Sequence, residues 1–172
     1  MNSLIDWFIN LFSGLTALKY GKELIVFIIS LMPILELRGG LIAASLLNVK
    51  PVVGYIVSMI GNILPVPIIL LFINKVLEWM GNSKIKWMRN LSKWLDKKAR
   101  KNKSKIERYG YLGLVLFVGI PLPGTGAWTG CLAASVLGMD RKKSFIAVML
   151  GIIMASIIMM ILSYGILGNL IN

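Results

Sequence analysis

The chain is 172 residues long and 57% hydrophobic, with a mean hydropathy of +0.79 and a net charge of +12. That composition lies outside the range of soluble globular domains and places the chain in a membrane. With no histidine and Cys131 as its lone cysteine, an internal disulfide, a zinc or haem ligand set and a serine–histidine hydrolase all lack their parts, so neither an enzyme nor a bound cofactor is expected.

The N-terminus reaches Asp6 before any lysine, which does not fit a cleavable signal peptide. Residues 1–20 place Leu4, Phe8, Leu11, Phe12, Leu15 and Leu18 at helical spacing, the pattern of an interfacial helix. From residue 24 to residue 49 the only charges are Glu36 and Arg38, inside the stretch PILELRGG over 33–40. Proline removes a backbone donor and Gly39-Gly40 weakens helix propagation, so two half-helices meeting at a re-entrant loop over 33–40 fit better than one unbroken helix. Pro51 opens a transmembrane span over 51–74, its second half bent by Pro65 and Pro67.

Residues 75–108 change character, with twelve Lys or Arg and Trp79, Trp87 and Trp94 interleaved. Ile85, Met88, Leu91 and Leu95 line one face of a basic amphipathic helix. A charge run tethered between membrane segments points to an anionic lipid surface and a cytoplasmic side, not to nucleic acid. A second membrane block over 109–165 follows: an apolar run, the stretch PLPGTGAWTG over 121–130 as a second re-entrant loop, another apolar run, Arg141-Lys142-Lys143, and a span over 144–164.

Setting Pro33 over Pro123 matches nine of thirty positions without gaps, among them Gly40 with Gly130, Ala43-Ala44-Ser45 with Ala133-Ala134-Ser135, and Gly61 with Gly151. A unit made of a hairpin and one span crosses the bilayer an odd number of times, so two copies face opposite ways. Residues 21–74 and 109–165 are then the two copies. The positive-inside rule agrees, because fifteen of the nineteen basic residues fall on one side only if residues 111–138 are re-entrant. The expected fold is an all-α integral membrane protein, an inverted repeat of re-entrant helical hairpin plus transmembrane helix, with amphipathic interfacial helices.

PILELRGG and PLPGTGAWTG resemble the signatures of the putative small multi-drug export protein family, within the DedA-like (VTT, or SNARE-associated) membrane superfamily. The resemblance covers roughly residues 24–164 and implies re-entrant loops from opposite faces, residence in the cytoplasmic (inner) membrane of a prokaryote, and movement of lipids or lipid-linked phosphates with proton coupling. By position it implies Pro33, Glu36, Arg38, Gly39 and Gly40 as the first loop's substrate-binding or transport residues. Pro121, Pro123, Gly124, Thr125, Gly126, Trp128 and Thr129 make up the second. A second intramembrane arginine is lacking, since Arg38 stands over Trp128 and Glu36 over Gly126.

An ionised side chain at bilayer depth costs at least about 2.5–3.5 kcal/mol, so Glu36 and Arg38 are expected to pair and to face a wet cavity. The bland alternative is that they only staple two half-helices. The reading preferred on sequence is a transporter or flippase for an anionic, phosphate-bearing lipid or lipid-linked substrate, gripped by Arg38 and by backbone amides of the second loop. Its alternative is a proton-coupled exporter of small amphipathic cations with Glu36 as counter-ion. Hairpins need lateral cover for their backbone, which argues for a homodimer.

Overall fold

A computed structural model describes residues 19–83, 85–101, 109–122 and 124–167. Among them all regular structure is helical: α1 (Gly21–Leu31), α2 (Glu36–Leu46), α3 (Pro51–Ile63), α4 (Pro65–Gly81), α5 (Lys86–Lys101), α6 (Gly110–Gly119), α7 (Ala127–Val136), α8 (Arg141–Met160) and a π-helix (Ile161–Leu167). Two stretches, Pro51–Ile73 and Arg141–Gly165, are long and apolar enough to cross a bilayer. The first contains both prolines, and Leu64 keeps right-handed helical angles (φ −54, ψ −42) at the junction of α3 and α4. The prolines therefore cost hydrogen bonds without unwinding the chain. The interfacial helix expected over 1–20 lies outside the described residues except for Lys19 and Tyr20, as do Pro123 and residues 102–108 of the linker.

The chain forms two units, residues 19–61 with 159–167 and residues 62–158. In the first, α1 packs on α2, and α2 on the π-helix. Val26, Ala44 and Val49 form the core there, with Val53, Val57 and Tyr164 against it. Two polar links bind the π-helix to this core: the Ser45 hydroxyl donates to the Ser163 carbonyl at 2.8 Å, and the Tyr164 hydroxyl donates to the Val49 carbonyl at 3.1 Å. Ser45 thus bonds across a helix interface, as hydroxyls do where lipid offers no alternative partner.

In the second unit α4, α5 and α7 pack on one another and α6 on α7. The Ser92 hydroxyl donates to the Leu77 carbonyl at 3.0 Å and fixes α5 to α4. Met88 and Ser92, one turn apart, are the buried face of α5, while Trp87 and Trp94 stay exposed. Ile85 lies ahead of the helix and is half exposed, so it does not belong to that face as the periodicity predicts. Leu91 and Leu95 have side chains outside the described set. Asp140 caps α8, its Oδ1 accepting the Lys143 N–H at 2.9 Å.

Both breaks are shorter than the sequence predicts. The first occupies residues 32–35, so Glu36 to Gly40 belong to α2; the second runs from residue 120 to residue 126, so Ala127 to Gly130 belong to α7. The physical reason at the first break is packing. A Cβ on Gly39 would stand 2.7 Å from Leu35 Cβ, and one on Gly40 would overlap Ser30 Oγ and lie 2.9 Å from Ser58 Oγ. This glycine pair brings helices together and does not end one.

Local geometry recurs between residues that the sequence aligns. α2 ends with Asn48 at φ 54 and bonds from the Asn48 and Val49 N–H groups to the Ser45 and Ala44 carbonyls; α7 ends with Gly138 at φ 67 and the same bonds from Gly138 and Met139 to Ser135 and Ala134. Both are left-handed caps of the Schellman type. A Cβ on Gly61 would meet the Phe27 carbonyl oxygen at 2.8 Å and Ser30 Cβ at 2.9 Å, and one on Gly151 would meet the Val115 carbonyl oxygen at 2.9 Å and Val118 Cβ at 2.6 Å. Ser30 and Val118 therefore hold corresponding places in the two units.

Candidate functional site

The predicted site residues fall into two sets, each within one unit. In the first unit the α1–α2 break keeps its backbone satisfied locally: the Glu36 N–H donates to the Met32 carbonyl at 2.9 Å and the Gly39 N–H to the Leu35 carbonyl at 2.8 Å. Satisfaction of this kind is what lets irregular backbone exist at membrane depth. Pro33 and its neighbours Met32, Ile34 and Leu35 are exposed, with Ile34 91% exposed. The tip of the break is thus apolar, and the charges lie behind it.

Glu36 is 4% exposed and sits at φ 51, a left-handed conformation that a residue with a Cβ adopts at a cost of about 1–2 kcal/mol. Strain of this sort persists where the surroundings over-determine it, and it gathers at functional sites. Arg38 is half-buried, and the Glu36 carboxylate acts electrostatically on it. The acid and the guanidinium are coupled, but they are not equivalent: the carboxylate is buried within the helices and the guanidinium keeps a partly open side.

In the second unit the Thr125 hydroxyl joins the backbone bonds from the Leu122 N–H to the Ile120 carbonyl (2.8 Å) and from the Thr125 N–H to the Leu122 carbonyl (3.2 Å) in holding the break. Thr125 Oγ1 lies 3.0 Å from the Ile120 carbonyl and 2.8 Å from the Leu122 carbonyl, and accepts the Leu122 N–H at 3.3 Å. Pro121 is half-buried, Gly124 is exposed at φ 81, and Gly126, buried at φ 136, precedes the first turn of α7. The Thr129 hydroxyl donates back to the Gly126 carbonyl at 3.3 Å, and the indole Nε1 of half-buried Trp128 is buried. Pro123 lies outside the described residues. The amides expected to follow it do not open α7, which begins at Ala127.

Two residues of the first unit escaped the sequence reading, Ser30 and Ser58. Both are fully buried and flank Gly40. Ser30 donates to the Val26 carbonyl at 2.7 Å, whereas Ser58 Oγ has no hydrogen-bond partner among the described residues. Asn62, one turn beyond Ser58 on α3, is 2% exposed with its Oδ1 likewise unpartnered. The available signal was the alignment itself: Ser58 and Asn62 stand over Val148 and Ile152, so the polar residues of α3 have apolar mates.

No curated protein and no solved structure matches this chain. A family model does, under the description "Putative small multi-drug export protein", over residues 36–158. The match begins at Glu36 and takes in Arg38, the second helix break, the basic helix and most of α8. Its description speaks for the export of small molecules more than for lipid translocation. With two helices fit to cross a bilayer and the family model matched over most of its length, the chain is a membrane protein that belongs to the Putative small multi-drug export protein family.

Proposed function

We propose that the chain exports small amphipathic cations across a prokaryotic cytoplasmic membrane, with Glu36 as the intramembrane counter-ion and coupling to inward movement of a cation, a proton in the simplest form. The observation that carries this reading is a carboxylate only 4% exposed in a chain of this family. Buried intramembrane acids mark transport routes, because their cost is otherwise unexplained. Arg38 offsets the charge of Glu36 when no substrate is bound, and an organic cation competes with it for the carboxylate.

The same proposal includes a topology. The breaks at 32–35 and 120–126 dip into the bilayer from opposite leaflets as an inverted repeat, a layout that also underlies the DedA-like placement. The basic helix α5 lies on the cytoplasmic, anionic lipid surface with Trp87 and Trp94 as anchors, and two copies of the chain provide each other's lateral cover. Lys50 and Lys142 are both exposed, and Cys131 is fully buried. Cysteines placed at 50 and 142 are therefore expected to label from opposite sides over little background; labelling from one side removes the inverted arrangement.

The half-open Arg38 guanidinium favours one second reading, translocation of an anionic phosphate-bearing lipid, since its planar fork suits a phosphate. Vesicles reconstituted with the parent chain, Glu36→Gln or Arg38→Ala separate the two when assayed for cationic dye efflux and for phospholipid head-group translocation. Export predicts at least about a tenfold loss of efflux in Glu36→Gln, the scale of one lost charge interaction. Full efflux in Glu36→Gln would end the export reading. Head-group translocation that depends on Arg38 would replace it with the lipid reading.

A further inference from the structure

We infer that the junction of α1, α2 and α3 in the first unit binds a sodium ion, held by the hydroxyl oxygens of Ser30 and Ser58 and balanced by the Glu36 carboxylate. The two hydroxyls crowd one point beside the Cα of Gly40, where glycine alone leaves room for them. The single proton of Ser30 is committed to the Val26 carbonyl, so the junction meets only the lone pairs of that oxygen. Ser58 is fully buried and its oxygen has no partner. Glu36 precedes Gly40 by one helical turn and lies on the same buried face of α2. An ionised carboxylate only accepts hydrogen bonds.

The Ser30 oxygen and the carboxylate offer acceptors only, and the Ser58 hydroxyl, bound to nothing else, is free to turn its lone pairs toward the same point, an arrangement that suits a cation. The donors are all oxygen, a hard set that suits an alkali or alkaline-earth ion and not a thiophilic metal. With one carboxylate shared with Arg38, the junction tolerates a single positive charge better than a double one, which favours a monovalent ion over a divalent one. The corresponding places in the second unit carry Val118, Gly126 and Val148. Those side chains offer no oxygen, so the ion belongs to the first unit alone.

As the ion that drives export, sodium rests on the reading given above; its binding is measurable without any transported compound. The full chain is purified in detergent and melted in sodium chloride or in choline chloride at equal ionic strength, followed by tryptophan fluorescence. Sodium at a tenfold excess over its Kd is expected to raise Tm by about 4 °C, and the rise grows with the logarithm of sodium concentration above Kd. Ser58→Ala is expected to lose the rise, and Ser144→Ala, which removes an unpartnered buried hydroxyl of the second unit, to keep it. Equal melting in the two salts overturns the proposal, and so does a sodium response that survives Ser58→Ala. Should Ser58→Ala not fold, Ser30→Ala is read by the same criterion. Because no drug is present, failed export with an intact sodium response and intact export without one are distinguishable outcomes.

Discussion

Placing a methyl group at Gly40 tests the helix crossing on which the first unit depends. The new Cβ would overlap Ser30 Oγ and stand 2.9 Å from Ser58 Oγ and 3.1 Å from Ser30 Cβ. Ser30 is fully buried and bonded to Val26, so it cannot rotate away without losing that bond. Overpacking costs about 1–3 kcal/mol and the lost hydrogen bond about 1 kcal/mol, which puts Gly40→Ala at about 2–4 kcal/mol of destabilisation. Adding Ser30→Ala removes the oxygen and leaves the contacts with Ser58 Oγ and the Cβ at position 30, which a shift of a few tenths of an ångström relieves. The double variant is therefore expected to lie within about 1 kcal/mol of Ser30→Ala alone, a strongly non-additive pair. Unfolding by denaturing detergent in mixed micelles, in choline buffer so that sodium contributes nothing, measures all four chains. Were Gly40→Ala to unfold within about 0.5 kcal/mol of the parent, below the overpacking range, or were Ser30→Ala to bring no recovery, the crossing would be misplaced.

Three further outcomes follow from backbone and loop geometry. Glu36→Gly is expected to be about 1 kcal/mol more stable than Glu36→Ala, because both lose the carboxylate but only alanine is strained at φ 51; equal unfolding midpoints would deny the left-handed backbone there. Gly138→Ala is expected to cost about 1 kcal/mol for the same reason, with no clash involved since nothing lies within 4 Å of its would-be Cβ; Asn48→Gly at the matching cap is expected to be neutral or slightly stabilising in the same titration. Thr125→Val strips the second break of its hydroxyl and is expected to cost about 1–3 kcal/mol, seen as faster hydrogen exchange at Leu122; unchanged exchange would mean that the loop is held by its backbone alone.

Much of the architecture was legible because lipid allows so few solutions. Long charge-free runs beginning at Pro51 or following Arg141-Lys142-Lys143 left no fold class other than helices, and the two longest helical stretches run through those segments. The extent of the breaks was not legible. A glycine pair such as Gly39-Gly40 signals equally a chain that stops being helical and a helix that another approaches closely, and what decides between them is the tertiary contact of Gly40 with Ser30 and Ser58 on other helices. Ser58 escaped for a related reason: a lone hydroxyl in an apolar helix commonly bonds its own backbone, and its lack of a partner depends on three helices meeting. The charged pair stood out at once, since no other charge lies within eleven residues on either side of Glu36 and Arg38. The preference for a lipid substrate came from the larger superfamily, and the family description moves it toward export.

The π-helix at Ile161–Leu167 fixes an order of assembly. Its Ser163 carbonyl and Tyr164 hydroxyl answer groups at Ser45 and Val49, which leave the ribosome more than a hundred residues earlier. Until residues 161–167 are made, the nascent first unit holds a serine hydroxyl and a backbone carbonyl without their eventual partners. The first unit is therefore completed by a segment that is synthesised after the whole of the second.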